Sequence, residues 1–293
     1  MKVFREKAGV LRVNGKDKQD FLQRVSTNDF RSFRDGRAQR TVFTDPKARI
    51  VDFPVVASLN DEYYIICSQG NEKNLEEFFN KYTITEDVKN SLSEVETLTI
   101  FTYVTEEFSF YHGAGKDDVW EIDGNIFIKD GYGFIKVIVL LNNPESEFIK
   151  TLMLKVRQIY DFDFELNAFE CGYLYRHSEL NEDVNPLECG LKDYISFTKG
   201  CYIGQEVISR LDVQDKVQNE VIKFSCRVEI KPGDKILVKG EEENTECGYI
   251  TSVFEENDHY RGFGFIKKKF ADEDAKFIFK GKKTGNINLI KFL

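Results

Sequence analysis

Imidazole is scarce in this chain of 293 residues, with three histidines, and tryptophan (one) and methionine (two) are scarcer still. His112, His177 and His259 lie far apart, so no histidine-based metal site is expected. None of the six cysteines forms a C-x-x-C pair, which argues against a zinc ribbon or a thioredoxin-type redox site. No apolar run approaches the roughly 20 residues needed to cross a bilayer. Met1–Val10 has neither an apolar h-region nor an Arg/Ser-rich transit pattern. These absences point to the cytoplasm, with free thiols and no membrane partner. Positive charge is also short: the net charge of −9 argues against a generalised nucleic-acid binder, whose affinity comes from neutralising phosphates.

Phenylalanine, by contrast, occurs 26 times, so aromatic packing must carry much of the core. The length suffices for two or three cores. Gly9–Val13 reads as a short strand, and Lys16–Val25 as a helix presenting Phe21, Leu22 and Val25. Ile50–Leu59 and Tyr63–Ser68 pair around Asn60-Asp61, and Asn71–Tyr82 is a helix. Val95–Val104 and Phe134–Leu141 are strands, and Asp123-Gly124 joins Val119–Ile122 to Ile126–Ile128 as a hairpin. Glu145–Tyr160 is a helix. The middle of the chain therefore reads as split β-α-β units, twice over. From about Glu220 short strands alternate with turns at Pro232-Gly233, Gly240, Gly248, Gly262 and Gly281, the pattern of a small all-β barrel. The expected division is an α+β region over 1–218 and a barrel over 219–293.

Between Arg24 and Arg49 lies a basic stretch with Arg31, Arg34, Arg37, Arg40 and Lys47. It is either a solvated face or a lure for an anionic ligand. The segment richest in chemistry is Lys199-Gly200-Cys201-Tyr202-Ile203-Gly204-Gln205-Glu206. A helical pattern follows it. A cysteine at a helix N-terminus beside a lysine sits in a positive field that favours thiolate, so Cys201 is the candidate reactive thiol. The competing reading is a small residue packed in a turn.

That octet, K-G-C-Y-x-G-Q-E, resembles the motif of YgfZ-type proteins and their mitochondrial iron–sulfur assembly relatives, within the glycine-cleavage T-protein superfamily. Further segments follow in the same order as in that superfamily. Gly15, Asp17, Phe21-Leu22 and Thr27-Asn28-Asp29 resemble its opening. Pro46–Asp52 is similar to P-K-G-R-x-x-D. Phe169-Glu170-Cys171-Gly172 resembles L-E-A-G, and Asn185–Leu191 resembles T-P-L-E-A-G-L. Cys247–Ser252 with Gly262–Ile266 resembles the barrel's G-x-I-T-S…G-x-G-x-I.

The resemblance implies a three-lobed ring holding tetrahydrofolate, or a one-carbon derivative of it, in its centre, with ferredoxin-like pieces before the C-terminal barrel. It implies that Glu170 holds the pteridine edge through charge-assisted bonds, and that Lys199, Tyr202, Gln205 and Glu188 belong to the same cofactor site. Where T-proteins carry an Asp-Asp pair, this chain reads Asp52-Phe53. Asp52 and Cys201 are the candidate chemical residues; if the lost acid is the catalytic one, aminomethyl transfer should fail, and the alternative is that Asp52 only caps or orients the strand end. The implied role is support of iron–sulfur cluster assembly or repair, with client or scaffold proteins as partners. Cys201 alone cannot hold a cluster, which takes about four thiolates. The alternatives are a folate-dependent aminomethyltransferase or demethylase acting on a small amine or methylated substrate, and a binding module that retains only the fold.

Overall fold

The computed structural model describes residues 2–101, 118–130, 136–239, 244–271, 277–280 and 284–291. His112, the turns at Gly240 and Gly281, and the expected strand ends at 102–104 and 134–135 lie outside these residues. In chain order the first part comprises β1 (Lys2–Asn14), α1 (Lys18–Val25), β2 (Ala38–Arg40), β3 (Phe43–Thr44), β4 (Ile50–Asp52), β5 (Val55–Leu59), β6 (Glu62–Ile66), α2 (Glu72–Tyr82) and β7 (Lys89–Phe101). There follow β8 (Val119–Ile122), β9 (Asn125–Asp130), β10 (Lys136–Leu140), α3 (Glu147–Lys155), β11 (Arg157–Ile159), α4 (Asp161–Cys171) and α5 (Gln205–Val213). Six strands complete the chain: β12 (Asn219–Cys226), β13 (Lys235–Val238), β14 (Thr245–Glu256), β15 (His259–Lys267), β16 (Phe277–Lys280) and β17 (Thr284–Lys291).

In place of split β-α-β units, the middle of the chain contributes to one nine-stranded sheet ordered β2-β5-β6-β1-β7-β10-β9-β8, with β11 added in parallel to β1. The spine is β1, 13 residues long, paired with β7 over its whole length. Its C-terminal half also pairs with β6, and its first residues pair with β11. The sequence suggested only Gly9–Val13 because Arg5, Glu6 and Lys7 break the apolar alternation. Those charges are met across the strands, Arg5 by Glu96 at 2.6 Å and Lys7 by Glu94 at 2.8 Å. The sheet curls until the β2 edge approaches β8, where a bridge joins Arg37 and Asp118. Val55, Ala57, Ile128 and Ile138 fill the inside of the curl. Helices α1 and α2 bury Phe21, Leu22, Leu75 and Phe79 on one side of the sheet, and α3 buries Ile149 and Leu152 elsewhere.

The single helix expected over Glu145–Tyr160 is interrupted. It ends at Lys155, β11 intervenes, and α4 begins at Asp161. The stop signal for α4 is legible after the fact in Gly172, which adopts φ 65° as the left-handed C-cap. The hairpin at Asp123-Gly124 forms as expected, with φ of 50° and 80°, the mirror-image turn that suits the strand twist.

Strands β12 to β17 close a barrel ordered β12-β15-β14-β13-β16-β17, with β17 returning to β12. Ile222, Phe224, Ile236 and Ile266 pack within it. Its outer wall meets the α/β part through Val221, Phe263 and Phe265 against Phe169 and Leu174. Phe169 sits edge-on to Phe254 at 5.3 Å. Among the described residues no helix is long and apolar enough to cross a membrane.

Candidate functional site

A cavity of two adjoining compartments opens where the curled sheet meets the segment after α4. The outer compartment holds about 430 Å³ and the inner about 50 Å³, and both are walled by Arg40 and Val55. Arg40 is the hub. Its guanidinium donates from Nε to Asp130 Oδ1 at 3.0 Å, from Nη2 to Asp130 Oδ2 at 2.6 Å, and from Nη1 to the Phe53 carbonyl at 3.0 Å. Nη2 also donates to the Tyr173 hydroxyl at 3.1 Å. The side chains of Arg40 and Asp130 are 6% and 2% exposed, so the pair is buried and each charge is met by the other. The guanidinium lies 4.9 Å from the Phe53 ring centre and 5.3 Å from that of Tyr173.

The inner compartment is flat-walled and aromatic. Tyr173 and Tyr175 stack nearly parallel at 5.5 Å, and Phe164 meets Tyr175 edge-on at 5.0 Å. Burial pushes the Tyr175 phenol well up, so it stays a neutral donor at physiological pH. The outer compartment differs in character: Arg34, Arg37 and Lys129 line it together with Asn28, Tyr194 and the acid Asp193, and Arg37 is paired with Asp118.

Asp52 closes β4 immediately behind the inner compartment. Phe53 faces that compartment, whereas the Asp52 carboxylate turns into the protein and is fully buried. It accepts from the Phe53 backbone N–H at 2.7 Å, from the Ser68 N–H at 3.2 Å and from Asn71 Nδ2 at 3.4 Å. Burial pushes its pKa up to about 7 against the pull of these donors. Ser68 itself lines the inner compartment, so one residue separates the acid from the cavity.

The other residues singled out in the sequence stand outside the cavity lining. Glu170 is exposed on the last turn of α4, 4.0 Å from Arg261 of the barrel. Glu188 is buried and accepts from the Asn185 backbone N–H at 3.1 Å and from Asn219 Nδ2 at 2.8 Å, tying the barrel's first strand to the preceding loop. Lys199 is buried and donates to the carbonyls of Ser26 at 2.8 Å and Asn28 at 2.5 Å. Burial pulls its pKa down to about 8 although Asp29 is near. It thereby braces from behind the loop that carries Asn28 into the outer compartment. Tyr202 packs with Ala48, Ile195 and Ile208; its hydroxyl has no partner among the described residues, and burial raises its pKa to about 12. Gln205 is the first residue of α5.

Cys201 is the one exposed cysteine of the six. The expectation that it opens a helix is corrected by the structure: α5 begins at Gln205 with Gly204 as its cap, so Cys201 precedes the first turn. The helix start is displaced because Gly204 adopts φ 84°, a left-handed conformation that ends the preceding turn.

This turn packs on the Pro46–Asp52 loop, so two segments noted separately in the sequence meet. Thr44 Oγ1 donates to the Ile203 carbonyl at 2.7 Å. A Cβ on Gly204 would lie 2.7 Å from Thr44 Oγ1 and 2.8 Å from the Asp45 carbonyl oxygen. Ala48, where the resembling sequences have glycine, also adopts positive φ, 61°. Gly204→Ala is therefore expected to cost about 2 kcal/mol or more, whereas Gly200→Ala, which meets nothing within 4 Å, should be close to neutral. Paired thermal melts check the contrast, and equal midpoints would refute it.

The residues that build the cavity centre, Arg40, Asp130 and Tyr173, were not distinguished in the sequence as a group. Arg40 was visible only as one arginine of a basic stretch.

Residues 6–101 match the family model described as the GCVT N-terminal domain. A chloroplastic Arabidopsis thaliana protein named as a candidate transferase is 26% identical over 280 residues, covering 90% of this chain and 64% of its own length. An aminomethyltransferase of Oceanobacillus iheyensis is 25% identical over 281 residues, covering 83% of this chain and 72% of the relative. The crystal structure of glycine cleavage system aminomethyltransferase T from Bartonella henselae superposes with a TM-score of 0.81, covering 100% of this chain and 85% of that one at 13% identity. The chain therefore has the fold of aminomethyltransferase T, and its match to the GCVT N-terminal domain falls on strands β1 to β7, which supply Arg40, Phe53 and much of the inner compartment.

Proposed function

We propose that this chain binds a reduced folate in the two-compartment cavity and acts as a folate-dependent accessory factor for iron–sulfur enzymes. The observation that carries the folate reading is the coincidence of a flat aromatic chamber, a buried Arg40–Asp130 pair and a basic outer compartment. A pterin is planar and edged with donors and acceptors. It suits the stacked Tyr173 and Tyr175 and the Phe53 ring of the inner compartment. The benzoyl-glutamate tail is anionic and suits Arg34 and Lys129. When bound, the folate would supply the nitrogens that carry one-carbon units.

The accessory role, as opposed to aminomethyl transfer, is supported by what β4 presents. Electrostatic help must be aimed at the site of developing charge. Here the cavity receives Phe53, and Asp52 faces away. The iron–sulfur reading draws on the resemblance of the octet and on the exposure of Cys201, which leaves its thiol accessible to a partner protein. A second reading, a folate-dependent transferase, is favoured by the names of the relatives and by the near-neutral pKa of Asp52 behind Ser68.

Calorimetric titration with tetrahydrofolate tests the binding, and absence of heat at millimolar ligand would end the folate reading. Turnover of an aminomethyl donor well above a no-enzyme control would decide for the transferase. Cys201→Ser should leave the melting temperature and folate affinity unchanged while abolishing complementation of an iron–sulfur enzyme defect. Full complementation by that variant would remove Cys201 from the mechanism.

A further inference from the structure

A chain of hydrogen bonds reaches Asp52 from the protein surface. Its inner link is Asn71, fully buried, whose Nδ2 donates to Asp52 Oδ1 at 3.4 Å and to the Leu180 carbonyl at 2.8 Å. A carbonyl oxygen only accepts, so the amide nitrogen must face Leu180. The amide oxygen then faces His177, 2.6 Å from Nδ1, and that ring nitrogen must carry the hydrogen. The other ring nitrogen, Nε2, looks outwards to Glu182 at 3.8 Å, and the imidazole is 43% exposed. His177 therefore fixes which end of the Asn71 amide meets Asp52. The same histidine backs the chamber. Its main-chain N–H donates to the Gln69 carbonyl at 3.0 Å, and the Gln69 N–H donates to the Tyr175 carbonyl at 2.9 Å. Gln69 and Tyr175 both line the inner compartment.

The donors to Asp52 are uncharged, and no cation pairs with it among the described residues. Its titratable neighbours are few. Cys67 stands beside it as a neutral thiol, pushed up by burial and by the acid itself. Glu72, beyond Cys67, accepts from the Gly70 N–H at 3.2 Å. Glu179, next to Leu180, accepts from the Ser178 hydroxyl at 2.7 Å. On the cavity side Arg40 is held by Asp130 and the Phe53 carbonyl. Burial thus dominates at Asp52, and a group so held responds to any change in its solvation.

We infer that filling the inner compartment drives proton uptake at Asp52, and that His177 sets this linkage from the surface through Asn71. The inference rests on the folate reading of the cavity for the identity of the ligand. Phe53 and Ser68 separate the acid from the compartment, and both give their N–H groups to its carboxylate. A ring laid against them expels the water nearest to Asp52, and loss of water disfavours the charged form. The pKa, about 7 in the free protein, therefore rises on binding. The complex keeps a proton that the free protein has released. Affinity is accordingly full at acid pH and falls as pH rises above about 7.

Calorimetry of the full chain with tetrahydrofolate in phosphate and in Tris reads the proton directly, because the two buffers differ in heat of ionisation. Uptake is expected near neutrality, with affinity falling about three- to tenfold between about pH 6.5 and about pH 8.5. Asp52→Asn is expected to bind with no uptake and a flat profile. His177→Asn, whose Nδ2 can stand where Nδ1 stood, should keep the wild-type profile. His177→Gln, whose amide reaches towards the Nε2 position, loses the donor to Asn71 and should move the fall upwards by about half a pH unit. A His177→Gln variant that loses affinity equally at every pH, with the profile unmoved, would overturn the part given to His177. Absence of binding at every pH ends the folate reading and takes the linkage with it. Binding with the same apparent enthalpy in both buffers, or uptake that persists in Asp52→Asn, leaves folate in the cavity and overturns the linkage alone.

Discussion

Arg40→Met is expected to lower the unfolding free energy by about 3–5 kcal/mol, the cost of stranding one member of a buried ion pair. The cause is specific. Asp130 is 2% exposed, and the guanidinium is the cation bonded to both of its oxygens. The substitution also frees the Phe53 carbonyl and the Tyr173 hydroxyl from the bonds they make to Arg40. Removing both charges, as Arg40→Met with Asp130→Leu, should restore much of the loss, because no lone charge is then left in the interior. The two variants separate stability from ligand recognition: the single substitution loses both, whereas the double regains stability and still fails to bind tetrahydrofolate. Urea denaturation followed by calorimetry reads both quantities. A single variant within 1 kcal/mol of wild type would show that water compensates Asp130 and that the pair is not the hub described here.

The second large effect is on pH dependence. Asp52 has a folded pKa of about 7 against an ordinary value of 3.8, and burial is the leading cause. The native state therefore keeps a proton that the unfolded chain has already released. Stability contributed by the protonated group is fully present at acid pH and is lost as pH rises from about 4 to about 7. At roughly 1.4 kcal/mol per unit the loss is about 4 kcal/mol. Asp52→Asn stays neutral throughout and keeps an oxygen for the Phe53 N–H. It is expected to flatten the decline, so that the variant gains on wild type between pH 5 and pH 8. Glu179, also buried with a raised pKa, adds a slope of the same sign in both proteins and cancels in the comparison. Urea midpoints at the two pH values give the answer, and parallel declines would mean that Asp52 remains ionised in the fold.

Local patterns made some of this structure readable. The hairpin at Asp123-Gly124 needs only residues with tolerance for positive φ, and Pro232-Gly233 marks the turn before β13, whereas Gly248 and Gly262, expected between strands, lie inside β14 and β15. The octet and the Pro46–Asp52 loop stood out separately, and they are in fact neighbours through Thr44 and Gly204. The cavity was another matter. Arg31, Arg34, Arg37 and Arg40 look alike in sequence, yet Arg31 pairs with Asp29 two residues away while Arg40 pairs with Asp130 ninety residues on. Nothing local distinguishes a buried arginine from its exposed neighbours when its partner comes from another strand. Lys199 shows the converse. Its prominence in the motif suggested a ligand contact, whereas its ammonium is spent on two main-chain carbonyls. The apolar spacing continues back through Ile203 beyond the true start of α5, and only the left-handed Gly204 marks the boundary.

The spine strand β1 has a consequence for how the chain is made. One edge waits for β6 at its far end and, at its first residues, for β11, more than 150 positions later; the other edge waits for β7. Such distant pairings make for slow closure. On a ribosome, Glu6 to Ala8 would be in place early, but the chamber they help to line stays open until Tyr173 and Tyr175 have been synthesised. A ligand added during synthesis would find no complete site before then, so it can stabilise the finished molecule but cannot guide assembly of the first sheet.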